Sequence, residues 1–194
     1  MSDHAAEPRR VGFLADTHSA TADGSDLPDR VLEAFAGVDL VVHLGDIGRK
    51  GILDRLLGVA PVLVPVGGNK GYVPWLEGGG ESSEAPVRLI TSGDHAVGLC
   101  FNLAQPDKKI VVGDDIDFGD EPLPKLLQRR FKAPVGAVAF GGTHRPIELR
   151  HEGVLFFNPG SPNLPMEGSP GAVAVLDLAG DAPRVDLVTI GPAG

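Results

Sequence analysis

Cysteine is nearly absent. Cys100 is the only one in 194 residues, so no intrachain disulfide can form and a cysteine-rich zinc site is excluded. Aromatic residues make up 5% of the chain, so the core must be built from Val, Leu, Ile and Ala. No apolar run approaches the roughly 18 residues of a membrane-spanning helix. Positive charge is scarce as well: 17 Lys and Arg stand against 26 Asp and Glu, a net charge of -9. Nucleic acid and anionic membrane surfaces both require a basic face, and neither is an expected partner. A small anionic substrate stays open, because a bound metal reverses the local field. The first nine residues, MSDHAAEPR, are polar and lack the apolar stretch of a signal peptide. They are expected to form a disordered tail (1–9) before a single domain (10–194) of a cytoplasmic protein.

Glycine and proline are abundant, 44 residues together, about twice average usage. They show no period, so tight turns and short helices are expected. Short apolar runs end repeatedly at polar residues. Val11 to Ala15 ends at Asp16, and Leu40 to Leu44 at Gly45-Asp46. Val62 to Val66 ends at Gly67-Gly68-Asn69, and Ala96 to Phe101 at Asn102. Gly136 to Phe140 ends at Gly141-Gly142-Thr143-His144, and Val154 to Phe157 at Asn158-Pro159-Gly160-Ser161. Such runs suit strands buried on both faces. Helical spacing appears at Leu27, Val31, Leu32 and Phe35, at Ile52, Leu53, Leu56 and Leu57, and at Leu123, Leu126, Leu127 and Phe131. The β-α-β-α-β order of the first third predicts parallel strands. Strand patterns at 147–150, 154–157, 172–178 and 184–190 predict a mixed or antiparallel sheet, hence two packed sheets with helices outside. Residues 76–85 and 104–120 read as long surface loops, and the acidic run at 114–121 lacks the spacing of an EF-hand.

Ligands bind beyond the carboxyl ends of strands in open α/β sheets. That edge collects Asp16, His18, Asp46, Asn69, Asn102, His144 and Asn158. Carboxylates, imidazoles and amides together are what a hard or borderline divalent ion needs. Asp16 and His18 are close enough in sequence to reach one ion from a single loop. His43 is expected to pack beneath the site, and Asn158 to shape a turn. His4, His95 and His151 are read as exposed loop or tail residues, and Cys100 as a small core residue.

The set Leu14-Ala15-Asp16-Thr17-His18, His43-Leu44-Gly45-Asp46, Gly68-Asn69, Gly141-Gly142-Thr143-His144 and Asn158-Pro159-Gly160-Ser161 resembles the calcineurin-like metallophosphoesterase superfamily, in its small phosphodiesterase branch. The resemblance runs in family order from residue 11 to about 178. It implies a four-layer α/β/β/α sandwich of two mixed sheets with outer helices. It also implies a first metal held by Asp16, His18, Asp46 and His144, one well-bound divalent ion (Mn, Fe, Zn or Mg). A second metal would share Asp46 with Asn69 and the strand-end Asn102. Gly142 stands where the family has a histidine, so that site is expected to be weak or absent and to favour Mg, Ca or Mn over Zn. Lys70-Gly71 replaces the usual residues after the Asn, and Pro165-Met166 stands where an Arg is often seen.

The implied activity is hydrolysis of a small phosphomonoester or phosphodiester by a metal-activated water. Asp46 and His144 would serve at the reacting centre, with Lys70 and Arg145 replacing the missing metal's charge. The alternative is a catalytically weakened scaffold on the same fold with a protein partner.

Overall fold

The computed structural model describes residues 7–65, 87–104, 111–112 and 116–193. The apolar runs become strands, and the elements follow in the order β1 (Arg10–Leu14), α1 (Asp29–Ala34), β2 (Leu40–His43), α2 (Gly51–Leu57), β3 (Val62–Leu63), β4 (Val87–Ser92), β5 (His95–Cys100), β6 (Val111–Val112), β7 (Ile116–Asp117), α3 (Leu123–Phe131), β8 (Ala137–Phe140), β9 (Pro146–His151), β10 (Val154–Pro159), β11 (Pro170–Asp177) and β12 (Arg184–Ala193). Two five-stranded sheets result, ordered β12-β11-β1-β2-β3 and β4-β5-β8-β10-β9. Both are mixed. The strands β1, β2 and β3 run parallel, as do β5, β8 and β10; antiparallel strands lie on one side of the first trio (β11) and on both sides of the second (β4 and β9).

Alternation along each strand divides the core into three layers. Val11, Phe13 and Ala15 of the first sheet meet Val97, Leu99, Ala139 and Phe157 of the second. Phe13 and Phe157 meet edge to face, with ring centroids 5.0 Å apart. The outer face of the first sheet packs against Val31 and Phe35 from α1 and Ile52 and Leu56 from α2. The outer face of the second offers Val138, Phe140 and Phe156 to Leu126, Leu127 and Phe131 of α3. This is the four-layer α/β/β/α sandwich. Gly12 permits one of its contacts: a Cβ there would lie 2.7 Å from the Phe35 ring.

Several local expectations need correction. The strand expected at 62–66 is confined to Val62–Leu63. Residues 104–120 are not a loop throughout, because β6 and β7 pair as a two-stranded sheet. Ile116 and Phe118 are buried beside α3; isolated among aspartates, they leave no periodic pattern in the sequence. The edge strand β4 was not expected at all. His95 and His151 lie on strands β5 and β9 rather than in loops, and His151 stacks on Phe118 at 4.7 Å. Residues 1–6 of the expected tail and the expected loop at 76–85 lie outside the described residues. Arg9 is tied down, its N–H donating to Asp39 Oδ2 at 2.9 Å. No helix among the described residues is long and apolar enough to cross a membrane.

The inter-sheet layer should dominate stability. Phe13→Ala is expected to cost about 3–5 kcal/mol, read as a lower urea midpoint at unchanged m-value. A loss below about 1 kcal/mol would contradict this assignment of the core.

Candidate metal centre

The C-terminal ends of the parallel trios in both sheets lie at one edge, and the loops leaving them carry the polar residues. Asp16 and His18 follow β1, Asp46 follows β2, and His144 follows β8. The first two loops are joined by backbone hydrogen bonds: Asp16 N–H to Gly45 O at 3.0 Å, His18 N–H to Asp46 O at 2.9 Å, and Ser19 N–H to Ile47 O at 2.8 Å. Asp26 fastens the outgoing chain by accepting from Ser19 Oγ, Thr21 Oγ1 and the Ala20 N–H. The sheets meet where Asp16 Oδ2 accepts the Gly142 N–H at 2.9 Å, and Ser161 Oγ donates to Asp16 O at 2.7 Å.

One ligand atom each from Asp16, His18, Asp46 and His144 lies within 4.8 Å of the other three. His18 Nε2 is 3.3 Å from His144 Nε2 and 3.5 Å from Asp46 Oδ2. His144 Nε2 is 3.8 Å from Asp16 Oδ1. Ligand atoms placed ~2.1 Å from one tetrahedral ion stand roughly 3.4 Å apart, so these spacings fit a single shared ion. Asp16 Oδ1 and Asp46 Oδ1 are buried with no hydrogen-bond partner, a state that a bound cation would satisfy.

Local conformation and protonation agree. Six described residues other than glycine have positive φ, and four of them are Asp16 (53°), His18 (44°), Asp46 (52°) and His144 (57°). Left-handed backbone costs about 1–3 kcal/mol per residue and clusters at functional sites. The His144 Nδ1–H donates to Leu164 O at 2.7 Å, which leaves the Nε2 lone pair facing the cluster. His43 lies fully buried beneath. Its Nδ1 accepts the Gly45 N–H and its Nε2–H donates to Thr17 Oγ1, which in turn donates to Ile47 O. Burial and the neighbouring His18 push its pKa down to about 3, so His43 is a neutral support. Burial raises the Asp16 carboxyl above its ordinary value, opposed by His144 and the Gly142 N–H and reinforced by Asp46. A dication would remove that penalty. The donor set therefore fits a divalent metal.

Of the remaining expected site residues, Arg145 stands half-buried beside His144 in the chain. Asn102 leaves β5, and its Oδ1 accepts the Ala104 N–H at 2.9 Å. Asn69 and Lys70 lie outside the described residues. Asn158 is buried and closes a turn onto the Gly160 N–H. Sequence reasoning missed the supports: the Gly142 N–H and the Leu164 carbonyl are backbone groups, which no side-chain pattern marks. It also missed Arg130 of α3, whose guanidinium donates to Asn102 O and Leu103 O at 2.6 Å.

Known proteins resemble this chain in sequence and fold. Residues 10–181 match the family model described as the calcineurin-like phosphoesterase superfamily domain. A probable metallophosphoesterase of Methanothermobacter thermautotrophicus is 28% identical over 182 residues, covering 93% of this chain and 92% of the relative. Phosphodiesterase YfcE of Escherichia coli K12 is 27% identical over 192 residues, 87% of each chain. A structure of a predicted phosphoesterase from Streptococcus pneumoniae superposes with a TM-score of 0.62 at 18% identity, covering 94% of this chain and 90% of that one.

Removing the Asp16 charge should separate metal binding from stability. Asp16→Asn is expected to abolish stabilisation by Mn while raising the melting temperature of the metal-free protein at pH 7. The sign follows from linkage: the folded pKa exceeds the unfolded 3.8, so stability falls as pH rises through that interval and returns on acidification. The difference between wild type and variant should therefore shrink below pH 4. A metal-free variant that melts lower than wild type at pH 7 would contradict the picture of an uncompensated carboxylate.

Proposed function

We propose, because this chain belongs to the calcineurin-like phosphoesterase superfamily, that it hydrolyses a small phosphomonoester or phosphodiester with one divalent ion held by Asp16, His18, Asp46 and His144. The observation that carries the reading is the convergence of four ligand atoms within 4.8 Å, two of the carboxylate oxygens otherwise lacking a partner. A bound ion supplies Lewis-acid polarisation of a phosphoryl oxygen and a water of lowered pKa.

The residues of the chain do the rest. Asp16 and Asp46 supply the negative charge that retains a dication. Asp16 is fully buried, whereas the side chains of His18, Asp46 and His144 are 35%, 17% and 27% exposed. The site is thus anchored on one side and open to substrate and water on the other. The Leu164 carbonyl keeps the His144 ring in one tautomer and one orientation. Arg145 and Lys70 are proposed to offset charge on the phosphoryl oxygens where the family places a second metal. Asn69 and Asn102 are proposed to contribute at most a weak second site. The position of the family's other imidazole is Gly142, whose N–H is already committed to Asp16.

Calorimetric titration with Mn should give one tight ion per chain, and the loaded protein should turn over bis-p-nitrophenyl phosphate. His144→Asn should lower kcat/KM at least about 100-fold without a comparable loss of melting temperature. Two tight ions per chain would overturn the single-site reading. One tight ion with no turnover of mono- or diesters would favour a binding scaffold.

A further inference from the structure

Leu164 and Met166 are large apolar side chains left 53% and 49% exposed. They share one short segment beside the metal centre. That segment is held by a chain of hydrogen bonds to two of the four cluster residues. Ser161 Oγ donates to Asp16 O at 2.7 Å and accepts the Leu164 N–H at 2.8 Å. Leu164 O accepts from His144 Nδ1 at 2.7 Å. The Met166 N–H donates to His144 O at 2.9 Å, and Met166 O accepts the Ser169 N–H at 2.8 Å. The His144 ring therefore has Nε2 toward the cluster and Nδ1 toward Leu164. One imidazole and one hydrogen bond separate the Leu164 backbone from the ligand atoms.

A segment fixed so closely, with two bulky apolar side chains in water, has kept apolar surface at the rim of a polar site. Scattered exposed hydrophobics need no explanation, but these two lie on one segment whose backbone is hydrogen-bonded to a residue of the cluster. Its size indicates what it receives. A stable protein interface needs about 800 Å² per partner, and two side chains interrupted by Pro165 and followed by the exposed Glu167 fall well short of that. They match a single ring. Methionine also adapts to irregular shapes and contacts aromatic faces favourably.

We propose that Leu164 and Met166 form an apolar lip that receives a ring-bearing ester group of the substrate, so that the centre selects aryl-type phosphodiesters over those with a small alkyl group. This rests on the phosphoesterase reading. The lip acts on specificity and leaves the bond cleaved, P–O, unchanged.

The experiment uses two diesters with the same leaving group, phenyl p-nitrophenyl phosphate and methyl p-nitrophenyl phosphate, and the Mn-loaded protein. The readout is the ratio of their kcat/KM values. Comparing that ratio between wild type and variant cancels the intrinsic reactivities of the two esters and any loss common to both. Wild type should prefer the phenyl ester about tenfold or more, the range a hydrophobic contact of this size supplies. The Leu164→Asn/Met166→Gln double variant should bring the ratio down at least about fivefold, and each single variant should take part of that fall. Mn titration of every variant checks that the Leu164 carbonyl still orients His144, and thermal melting checks folding. A wild-type preference that survives both single and double substitution overturns the lip. So does the absence of any preference in wild type, which would return the apolar pair to a protein contact. Failure of the loaded wild type to hydrolyse either ester overturns the phosphoesterase reading and the lip with it, an outcome distinct from turnover without preference.

Discussion

A carboxylate with no exposure joins the two halves of this protein. Asp16 follows the central strand β1 of the first sheet. Its Oδ2 takes an N–H from the loop after β8 of the second, its carbonyl takes the Ser161 hydroxyl, and its amide donates to the loop after β2. Three loops from two sheets are thereby referred to one residue. Its remaining oxygen is buried and unpartnered, and Asp46 stands close enough to raise the cost of ionising it. A side chain so placed is unfavourable for an empty fold and favourable for one that holds a cation. The exchange of stability for function common at active sites is concentrated here in one group.

The other three cluster residues carry a related cost in their backbones. All four adopt left-handed φ, a conformation that Asp and His tolerate better than most side chains. The loops that impose it are fixed from outside: the first by Asp26, the second by its ladder to residues 16–19, the third by Leu164 and Met166. The cluster is thus preorganised before any ion arrives. The neutral His43 and Thr17 pair under it keeps the floor free of a further charge. What faces outward is three partly exposed cluster residues and, bonded to one of them, a segment with two exposed apolar side chains.

Much of this was legible in the residues. The apolar runs ending at Asp16, Asp46, Asn102, His144 and Asn158 announced strands whose ends share an edge, because a strand buried on both faces cannot hide its pattern. The four cluster residues were legible too: each lies in the short loop that follows such a run, and the family resemblance named them together. The edge strand β4 escaped, since its alternation of polar and apolar residues is weaker than a buried run. Ile116 and Phe118 escaped because tertiary contact with α3, and no local period, buries them. The supporting roles of Gly142, Leu164 and Ser161 escaped because two act through backbone atoms and the third through a hydroxyl on a main-chain carbonyl. Left-handed backbone at four side-chain-bearing residues is likewise visible only in three dimensions.

The central proposal is that one ion is shared by four side chains from both sheets, with a second site at most weak. Anomalous diffraction at the manganese edge from Mn-soaked crystals tests it most directly. The account predicts a single strong peak bonded to Asp16, His18, Asp46 and His144, with the His144 Nδ1 contact to the Leu164 carbonyl retained. Two peaks of equal strength bridged by Asp46, or one peak that omits His18 or His144, would contradict it.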